Sequence, residues 1–436
     1  MWPFRKNSAS AIRSSEPYWL LRNGIGDASP SLTGSIDCDI AIIGAGITAA
    51  LVADALIATG KRIVVLDSRD VAQGSTSAST ALLQYEIDKN LTDLVPLVGA
   101  EPAMRAYRAC AASFTALEAR FPELLPEAGY ERRPSLYLAS DEKAVEPLLA
   151  ELKARRNIGL ACEWLDADEL RRRFGCHRPG GILSALGAQV DPFRLTRAIF
   201  SACRRHGVQH FARTKVTQIE EQGDALVLRT AGGHTVTAAH VAVCAGYESL
   251  DFLPSGYADV HNTFALVTEP LTGHERVATF PLIWESARPY FYMRGTSDYR
   301  LMVGGADVPF KNAAARDVLL PRQVRRLQGQ YEELFGLGLP PVAYAWAGSF
   351  AETRDGLPLI GRVPGMNPRL QFALCYGGNG ITYSVHAGDI IRAGIEGRVH
   401  ALDDVFGFGR LGTDLSTGRQ TSVPVTTGGQ SRGQWT

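Results

Sequence analysis

The sequence is poor in cysteine and has no excess of charge of either sign. Its 436 residues include 7 cysteines, none in a C-x-x-C pair, so it carries no motif for zinc or for a redox dithiol. Acidic and basic residues balance at 45 each, which leaves no positive excess for nucleic acid or an anionic membrane. We therefore expect no nucleic-acid partner. Because an odd, low cysteine count in a large chain is typical of a reducing compartment, we also expect a cytoplasmic protein.

Long hydrophobic runs and hydrolase motifs are also missing. Residues 1–16 carry charge but no apolar core of signal-peptide length. Residues 38–58 are mostly apolar, but Asp39 and Asp54 lie inside this stretch and two glycines interrupt it. We therefore expect no transmembrane segment. Neither a Ser/His/Asp pattern nor an H-E-x-x-H motif is present.

What the sequence has is an ordinary globular composition, with 45% apolar and 21% charged residues, and a length that predicts two domains. Near its start, residues 37–43 predict a buried strand and residues 47–59 a helix that Gly60 ends. Residues 62–66 predict a second strand, which Asp67 follows. This βαβ unit implies a parallel sheet.

The rest of the chain mixes helical and strand patterns. Residues 91–173 predict a mainly helical region with one strand near 135–139, and Asp191-Pro192 opens a helix through Arg205. The later elements predicted are strands at 215–220, 225–230, 235–239 and 241–244, a strand-rich block at 262–303, a helix near 321–335, a strand at 371–375 and a final helix. The polar tail beyond residue 411 is expected to be disordered.

The turn between the first strand and helix matches G-x-G-x-x-A over residues 44–49. Gly44 permits the sharp turn, Gly46 lets a pyrophosphate approach the backbone, and Ala49 allows close helix–strand packing. The helix N-terminus offers free N–H groups to phosphates. Asp67, some 20 residues on, lies where a ribose-binding carboxylate is expected, and it argues against a 2′-phosphate. The alternative is a plain tight turn, and the motif alone does not distinguish FAD from NAD.

Four further segments follow in a recognisable order. Residues 74–83 are small, polar and led by glycine; alone they would suit a flexible loop. Residues 241–246 end in Ala-Gly, residues 346–361 contain W-A-G and T-R-D-G-L-P-L-I-G, and residues 377–382 read G-G-N-G-I-T. Together with the glycine turn, these segments resemble the D-amino-acid oxidase family of flavoproteins over about residues 37–397.

The resemblance implies an α/β fold in which a Rossmann-like FAD-binding domain carries an inserted α+β substrate domain with a mixed or antiparallel sheet. Residues 37–90, 190–260 and 346–405 would form the FAD-binding domain. Residues 91–189 and 261–345 would form the substrate domain, and residues 1–30 and 411–436 would be flexible ends.

The resemblance also implies which residues meet FAD. They are Gly44, Gly46, Ile47, Thr48, Asp67, Ser68, Ser75, Thr76, Thr80, Ala81, Leu82, Leu83, Val216, Ala245, Gly246, Gly378, Gly380, Ile381 and Thr382. Gly348 and Ser349 stand where some members attach FAD to a cysteine, so FAD should bind without a covalent bond.

Two other departures concern the substrate. Thr382 stands near the place of a carboxylate-binding lysine, and Phe350 and Ala351 stand where an arginine is found in D-amino-acid oxidases. An α-amino acid is therefore not assured as the substrate.

The strongest substrate-side pattern is R-P-Y-F-Y-M-R over residues 288–294. On a strand, Tyr290 and Arg294 share a face with Arg288, which could hold a carboxylate, and the resemblance singles out Tyr290. The alternative is a surface strand with solvated arginines. Asn379, in the last glycine turn, is a further candidate for contact with the substrate.

Four other polar or reactive residues are assigned no role in catalysis. Tyr85 and Glu86 are interpreted as exposed loop residues that could border the pocket. His386 is interpreted as a helix residue, and Cys375 as a small buried side chain.

The implied reaction is transfer of a hydride from the carbon beside an amine nitrogen to flavin N5, giving an imine that hydrolyses. It requires a dry pocket and close placement rather than a strong base. Two alternatives remain open: a flavin hydroxylase, for which Gly388-Asp389 is a poor match to the expected motif, and a flavoprotein subunit of a larger dehydrogenase. The electron acceptor could be oxygen, a quinone or a partner protein.

Overall fold

The computed structural model describes residues 13–26, 28–271, 277, 279–310, 312–374 and 376–411. The predicted disordered tail after residue 411 and Cys375 lie outside these ranges.

The strands are numbered in chain order. They are β1 Arg13–Ser14, β2 Ile36–Ile43, β3 Ile63–Leu66, β4 Leu82–Gln84, β5 Glu131–Arg132, β6 Ser135–Leu138, β7 Cys162–Asp166, β8 Gly180–Ser184, β9 Gly187–Gln189, β10 Gln209–Phe211, β11 Val216–Gln222, β12 Ala225–Thr230, β13 Thr235–Val243, β14 Asp259–Thr268, β15 Leu282–Glu285, β16 Phe291–Gly295, β17 Leu301–Pro309, β18 Val342–Glu352, β19 Leu359–Arg362 and β20 Leu370–Leu374.

The α-helices are numbered in the same way. They are α1 Tyr18–Asn23, α2 Ile47–Ile57, α3 Ser75–Ala78, α4 Leu91–Val98, α5 Ala100–Arg120, α6 Leu124–Glu127, α7 Val145–Asn157, α8 Ala167–Phe174, α9 Pro192–Arg205, α10 Ala313–Phe335, α11 Gly380–Ile395 and α12 Asp403–Phe406. Short 3₁₀ segments lie at Glu142–Ala144, Gly246–Phe252 and Phe408–Leu411.

The first large sheet is parallel at its centre. Its order is β10-β3-β2-β13-β12-β11, in which β10, β3, β2 and β13 are parallel and β12 and β11 are antiparallel. β20 pairs in parallel with the end of β13 and in an antiparallel way with β19. β2 and β3 are rich in Ile and Val and almost completely buried, as expected for strands covered on both faces. Helix α11 packs against α2 on one face of this sheet. The parallel sheet predicted from the βαβ unit is confirmed.

The second large sheet is mostly antiparallel. Its order is β1-β18-β14-β17-β16-β15-β6-β8-β7, and only the β15–β6 pairing in it is parallel. A small third sheet joins β4 to β9 and β5. The predicted combination of a Rossmann-like parallel sheet with a mixed second sheet is therefore confirmed.

Several sequence predictions need correction. The region predicted as helical also contains β7, whose apolar Trp164 and Leu165 pair with β8. α10 begins eight residues before the predicted start, because the Asn312 side chain caps it by accepting the Ala315 N–H at 2.8 Å. The two strands predicted on either side of His240 are one strand, held by continuous pairing with β2.

The start of the chain also differs from the flexible end predicted for residues 1–30. Within the described part, β1 pairs with β18 and α1 follows it. Tyr18 and Trp19 are each only 2% exposed, so apolar burial rather than intrinsic helix propensity holds this short helix.

Within the described ranges, no helix is both long and apolar enough to cross a bilayer.

Candidate cofactor and substrate site

A cleft of about 480 Å³ opens where β2, β3 and β13 end. The residues that follow these strands line it, beginning with Gly44, Asp67 and Cys244. The carboxyl ends of parallel strands are where open α/β sheets bind their ligands. The turn that precedes α11 closes the far end of the cleft.

The glycine turn has the close contacts that its motif predicts. Gly44 has a φ of +110°, and a Cβ there would lie 2.4 Å from the Cys244 carbonyl oxygen. A Cβ on Gly46 would lie 2.9 Å from Thr76 Oγ1. Gly46 has no side chain to cap α2, and Thr76 Oγ1 accepts the Ile47 N–H at 3.0 Å. The positive end of the helix faces the cleft. These features fit the pyrophosphate of a dinucleotide.

Asp67 follows β3 and lines the cleft beside the glycine turn. Its carboxylate accepts the Ala45 N–H at 2.6 Å and the Arg69 N–H at 2.7 Å. Burial raises the pKa of Asp67, and the neighbouring Arg69 opposes that rise. Each carboxylate oxygen keeps a lone pair that can accept a ribose hydroxyl.

Glu248 forms an ion pair with Arg69 across the cleft and was not among the residues predicted for the site. Arg69 follows Asp67 by two residues and was detectable as a basic neighbour of the motif. Its partner could not be predicted, because the pairing joins positions 179 residues apart. Other lining residues that were not singled out include Ser79, Thr214, Lys215, Gln218, Tyr247, Asp251, Phe252, Met366 and Tyr376.

Most of the predicted FAD residues line this cleft. They are Gly44, Gly46, Ile47, Thr48, Asp67, Ser68, Ser75, Thr76, Leu82, Val216, Ala245, Gly246, Gly378, Gly380, Ile381 and Thr382. Thr80, Ala81 and Leu83 belong to the same loop but do not line it. Ala81 and Leu83 are buried, and Ala81 has a φ of +52°, which turns the chain between the two ends of the loop.

The turn before α11 is hydrogen-bonded to residues 84–88, which follow the loop at residues 74–83. Asn379 Nδ2 donates to the carbonyl oxygens of Gln84 at 2.9 Å and Glu86 at 2.7 Å. Thr382 Oγ1 donates to the Gln84 carbonyl at 3.1 Å. The Gly378 N–H donates to Asp88 Oδ2 at 2.7 Å. Asn379 lines the cleft, but its amide nitrogen is committed to main chain, so only its Oδ1 remains for a ligand.

Tyr290 and Arg288 lie together beside this closed end, next to Asp88. Tyr290 Oη donates to the Asp88 carbonyl oxygen at 2.9 Å, and an Arg288 nitrogen donates to the same oxygen at 2.5 Å. The Arg288 guanidinium stacks on the Tyr290 ring, 3.4 Å from its centroid. Neither side chain lines the 480 Å³ cleft, and Arg288 is exposed.

Arg294 is separated from this pair. It is 2% exposed and donates to the carbonyl oxygens of Thr80 at 2.7 Å and Val190 at 3.2 Å. Burial lowers its pKa to about 10, so it stays charged at neutral pH. Because its donors reach main chain, Arg294 holds the loop, and the structure does not bring it together with Tyr290 and Arg288.

The interpretation of Tyr85 and Glu86 as exposed loop residues is wrong. Tyr85 is fully buried and Glu86 is 3% exposed. Both lie beside the buried Arg155, which pairs with Glu151 at 2.7 Å. Burial raises the pKa of Glu86, and Arg155 opposes that rise. His386 lies in α11, as predicted, and its Nε2 is 2.7 Å from the Ala109 carbonyl oxygen.

Over residues 39–393 the chain matches the family described as FAD dependent oxidoreductase, DAO. It is 23% identical over 411 residues to the probable oxidoreductase OrdL of Haemophilus influenzae, covering 89% of this chain and 91% of that protein. It is 25% identical over 381 residues to gamma-glutamylputrescine oxidoreductase of Escherichia coli, covering 86% and 87%. The fold is similar to that of glycine oxidase from Geobacillus kaustophilus, with a TM-score of 0.72 and 20% identity over 86% of this chain and 99% of that one.

The glycine turn gives a direct test of the cleft. We expect Gly46→Val to raise the Kd for FAD by at least about a hundredfold, roughly 2.7 kcal/mol, because the side chain fills the pyrophosphate position. Titration of apo-protein with FAD, followed by flavin fluorescence, measures this. Gly34→Val is the matched control, since a Cβ at Gly34 meets nothing within 4 Å. A soluble Gly46→Val protein with full FAD occupancy would show that this turn is not the cradle.

Proposed function

The chain belongs to the FAD dependent oxidoreductase family, DAO, and we propose that it oxidises a C–N bond of an amine. The observation that carries this proposal is the arrangement of Asp88 and Tyr290 beside the end of the cleft, where Asp88 accepts the N–H of the lining residue Gly378. There the protein offers hydrogen-bond acceptors and negative charge.

FAD, when bound, accepts the hydride of the substrate carbon at its N5 atom. Gly44 and Gly46 leave room for its pyrophosphate, and Asp67 accepts from its ribose. The N-terminus of α11 lies at the closed end of the cleft, where its partial positive charge would stabilise the negative charge that reduction adds to the ring. FAD is held without a covalent bond in this proposal, because Gly348 and Ser349 offer no attachment cysteine.

Tyr290 favours an amine over a carboxylate. Its single hydroxyl proton is donated to the Asp88 carbonyl, so its oxygen can only accept a hydrogen bond from the substrate. An amine N–H is such a donor, whereas a carboxylate is not. Arg288 is the cation placed to pair with a carboxylate, but it is exposed and already donates to Asp88.

The charge around Tyr290 points the same way. Asp88, Asp307 and Glu352 interact electrostatically, and the cations Arg288 and Lys89 offset part of their charge. Burial, reinforced by Asp88 and Glu352, raises the pKa of Asp307 to about 6. A carboxylate on the substrate would add a negative charge to this group and would be repelled.

The names of the relatives divide between the two substrate classes. One of them is named for gamma-glutamylputrescine, an amine conjugate, and another for the amino acid glycine. This chain lacks the lysine and arginine expected for carboxylate binding at Thr382, Phe350 and Ala351. We therefore assign it an amine that has no carboxylate on the carbon to be oxidised.

The surroundings of Gly388 bear on the hydroxylase alternative. A Cβ there would lie 2.8 Å from the Leu51 carbonyl oxygen, so this glycine allows α11 to pack against α2. Gly388-Asp389 therefore has a packing role that does not require flavin. The alternative of a flavoprotein subunit differs in its acceptor, which we leave as oxygen, a quinone or a partner protein.

A cytoplasmic location is part of the proposal. It rests on the low, odd number of cysteines, which is typical of a chain from a reducing compartment.

Anaerobic titration of the flavoprotein tests the substrate class. Butane-1,4-diamine and ornithine differ only by a carboxylate on the reacting carbon, and methylamine and glycine form a second pair. We expect the amines to bleach the flavin, with at least about tenfold higher affinity than their carboxylated partners, because like charges repel at this site. Stronger bleaching by the amino acids would contradict the amine assignment. Bleaching by NAD(P)H alone would support a hydroxylase.

Tyr290→Phe tests the substrate contact. Loss of a hydrogen bond to a charged group costs about 1.5–3 kcal/mol, so the Kd for the amine should rise roughly ten- to a hundredfold while FAD content is unchanged. Anaerobic reduction kinetics measure both quantities. Tyr299→Phe, at an exposed tyrosine nearby in the chain, is the control and should match the parent. If Tyr290→Phe also matches the parent, this residue does not contact the substrate.

The raised pKa of Asp307 predicts a pH dependence. Its carboxyl is ionised above about pH 6 and neutral below it, so binding of a positively charged amine should weaken as pH falls through 6. We expect the apparent Kd to rise by up to about tenfold per pH unit below this value. In Asp307→Asn this dependence should disappear, leaving the weaker binding at every pH. A parent-like pH profile in the variant would assign the effect to another group.

A further inference from the structure

The loop that contacts the cofactor is held from outside by three side chains. Trp346 Nε1 donates to the Ala78 carbonyl oxygen at 2.8 Å, and Trp19 Nε1 donates to that of Ser79 at 2.7 Å. Arg294 Nε donates to the Thr80 carbonyl oxygen at 2.7 Å. Three successive carbonyls are therefore each bound by an N–H from a different element. We call these donors the loop clamp.

The clamp determines what the loop can offer to a ligand. With the carbonyls of Ala78, Ser79 and Thr80 committed outward, the groups left for the cleft are hydroxyls and N–H groups. Ser75, Thr76 and Ser79 line the cleft from this loop. Hydroxyls and N–H groups suit an anionic ligand, whereas free carbonyls would repel it.

Trp19 comes from a part of the chain outside the family match, which begins at residue 39. Its ring is 2% exposed and lies 5.2 Å from the Arg294 guanidinium, so the two clamp residues also support each other. The helix that carries Trp19 is anchored at both ends. Tyr18 Oη donates to Asp298 at 2.7 Å, and Asn23 Nδ2 donates to Asp191 at 2.7 Å.

From these contacts we propose that residues 13–26 contribute to FAD binding. Trp19 is a positioning residue in this proposal, and it holds the loop at residues 74–83 in the conformation that binds FAD. Trp19 does not itself line the cleft and acts through the carbonyl of Ser79, which does. This inference requires FAD as the cofactor but not the amine substrate, so its test is separate from the titrations of the proposed substrate.

The test removes the indole N–H of each tryptophan while keeping an aromatic side chain at the position. Trp19→Phe and Trp346→Phe should each raise the Kd for FAD roughly tenfold, because a freed carbonyl lets the loop relax in the apo-protein. The visible spectrum of the bound flavin should also change. Trp164→Phe, a matched change in β7 away from the loop, should leave both readouts unchanged. The unfolding midpoint of each apo-protein separates a loss of general stability from a change at the loop.

Hydrogen exchange gives a second test. It uses the unaltered protein, so its result does not depend on whether a variant folds. Because coupling between two sites is reciprocal, FAD binding should slow exchange in residues 18–23 together with residues 75–82. Slower exchange in the loop alone, with none in the helix, would overturn the proposal. A parent-like Kd and spectrum in both Trp19→Phe and Trp346→Phe would overturn it as well.

Discussion

The site depends on one short stretch of main chain, Gln84 to Asp88, to which both of its halves are attached. The cofactor turn reaches this stretch through Asn379, which binds two of its carbonyls. The side on which we propose that the substrate binds reaches it through Tyr290, which donates to the Asp88 carbonyl. A displacement of this stretch would therefore move the substrate group relative to the flavin, and a shift of about 1 Å at a reacting centre can cost about a hundredfold in rate.

A buried ion pair and the tyrosine rings around it lie beside this stretch of main chain. Arg155 is fully enclosed, pairs with Glu151 and is surrounded by the rings of Tyr85, Tyr107 and Tyr137. Glu151 in turn accepts the N–H groups at the start of α4. Such a cluster is costly to desolvate and gives up its order only if several partners move together. It therefore holds Tyr85, and with it the main chain beside Asn379, in one position.

The parts of this molecule that could be predicted from the sequence are those set by neighbours in the chain. Gly44, Gly46 and Asp67 belong to one βαβ unit, so their spacing alone indicated a dinucleotide cleft. Trp19 and Ser79, by contrast, meet only because β1 pairs with β18, and no local pattern signals that pairing. Glu86 was misjudged for the same reason. Its charge suggested exposure, and the compensating Arg155 lies 69 residues away in the sequence.

The order of strands in the parallel sheet has a consequence for biosynthesis. β2 and β3 are made early, but their neighbour β13 comes much later, and β20 and α11 come last. During synthesis the cofactor pocket stays incomplete until α11 has left the ribosome and can pack against α2. FAD must therefore be loaded near the end of translation or after release. Until then the nascent chain carries an open, apolar sheet edge, which is the kind of surface that aggregates or binds chaperones.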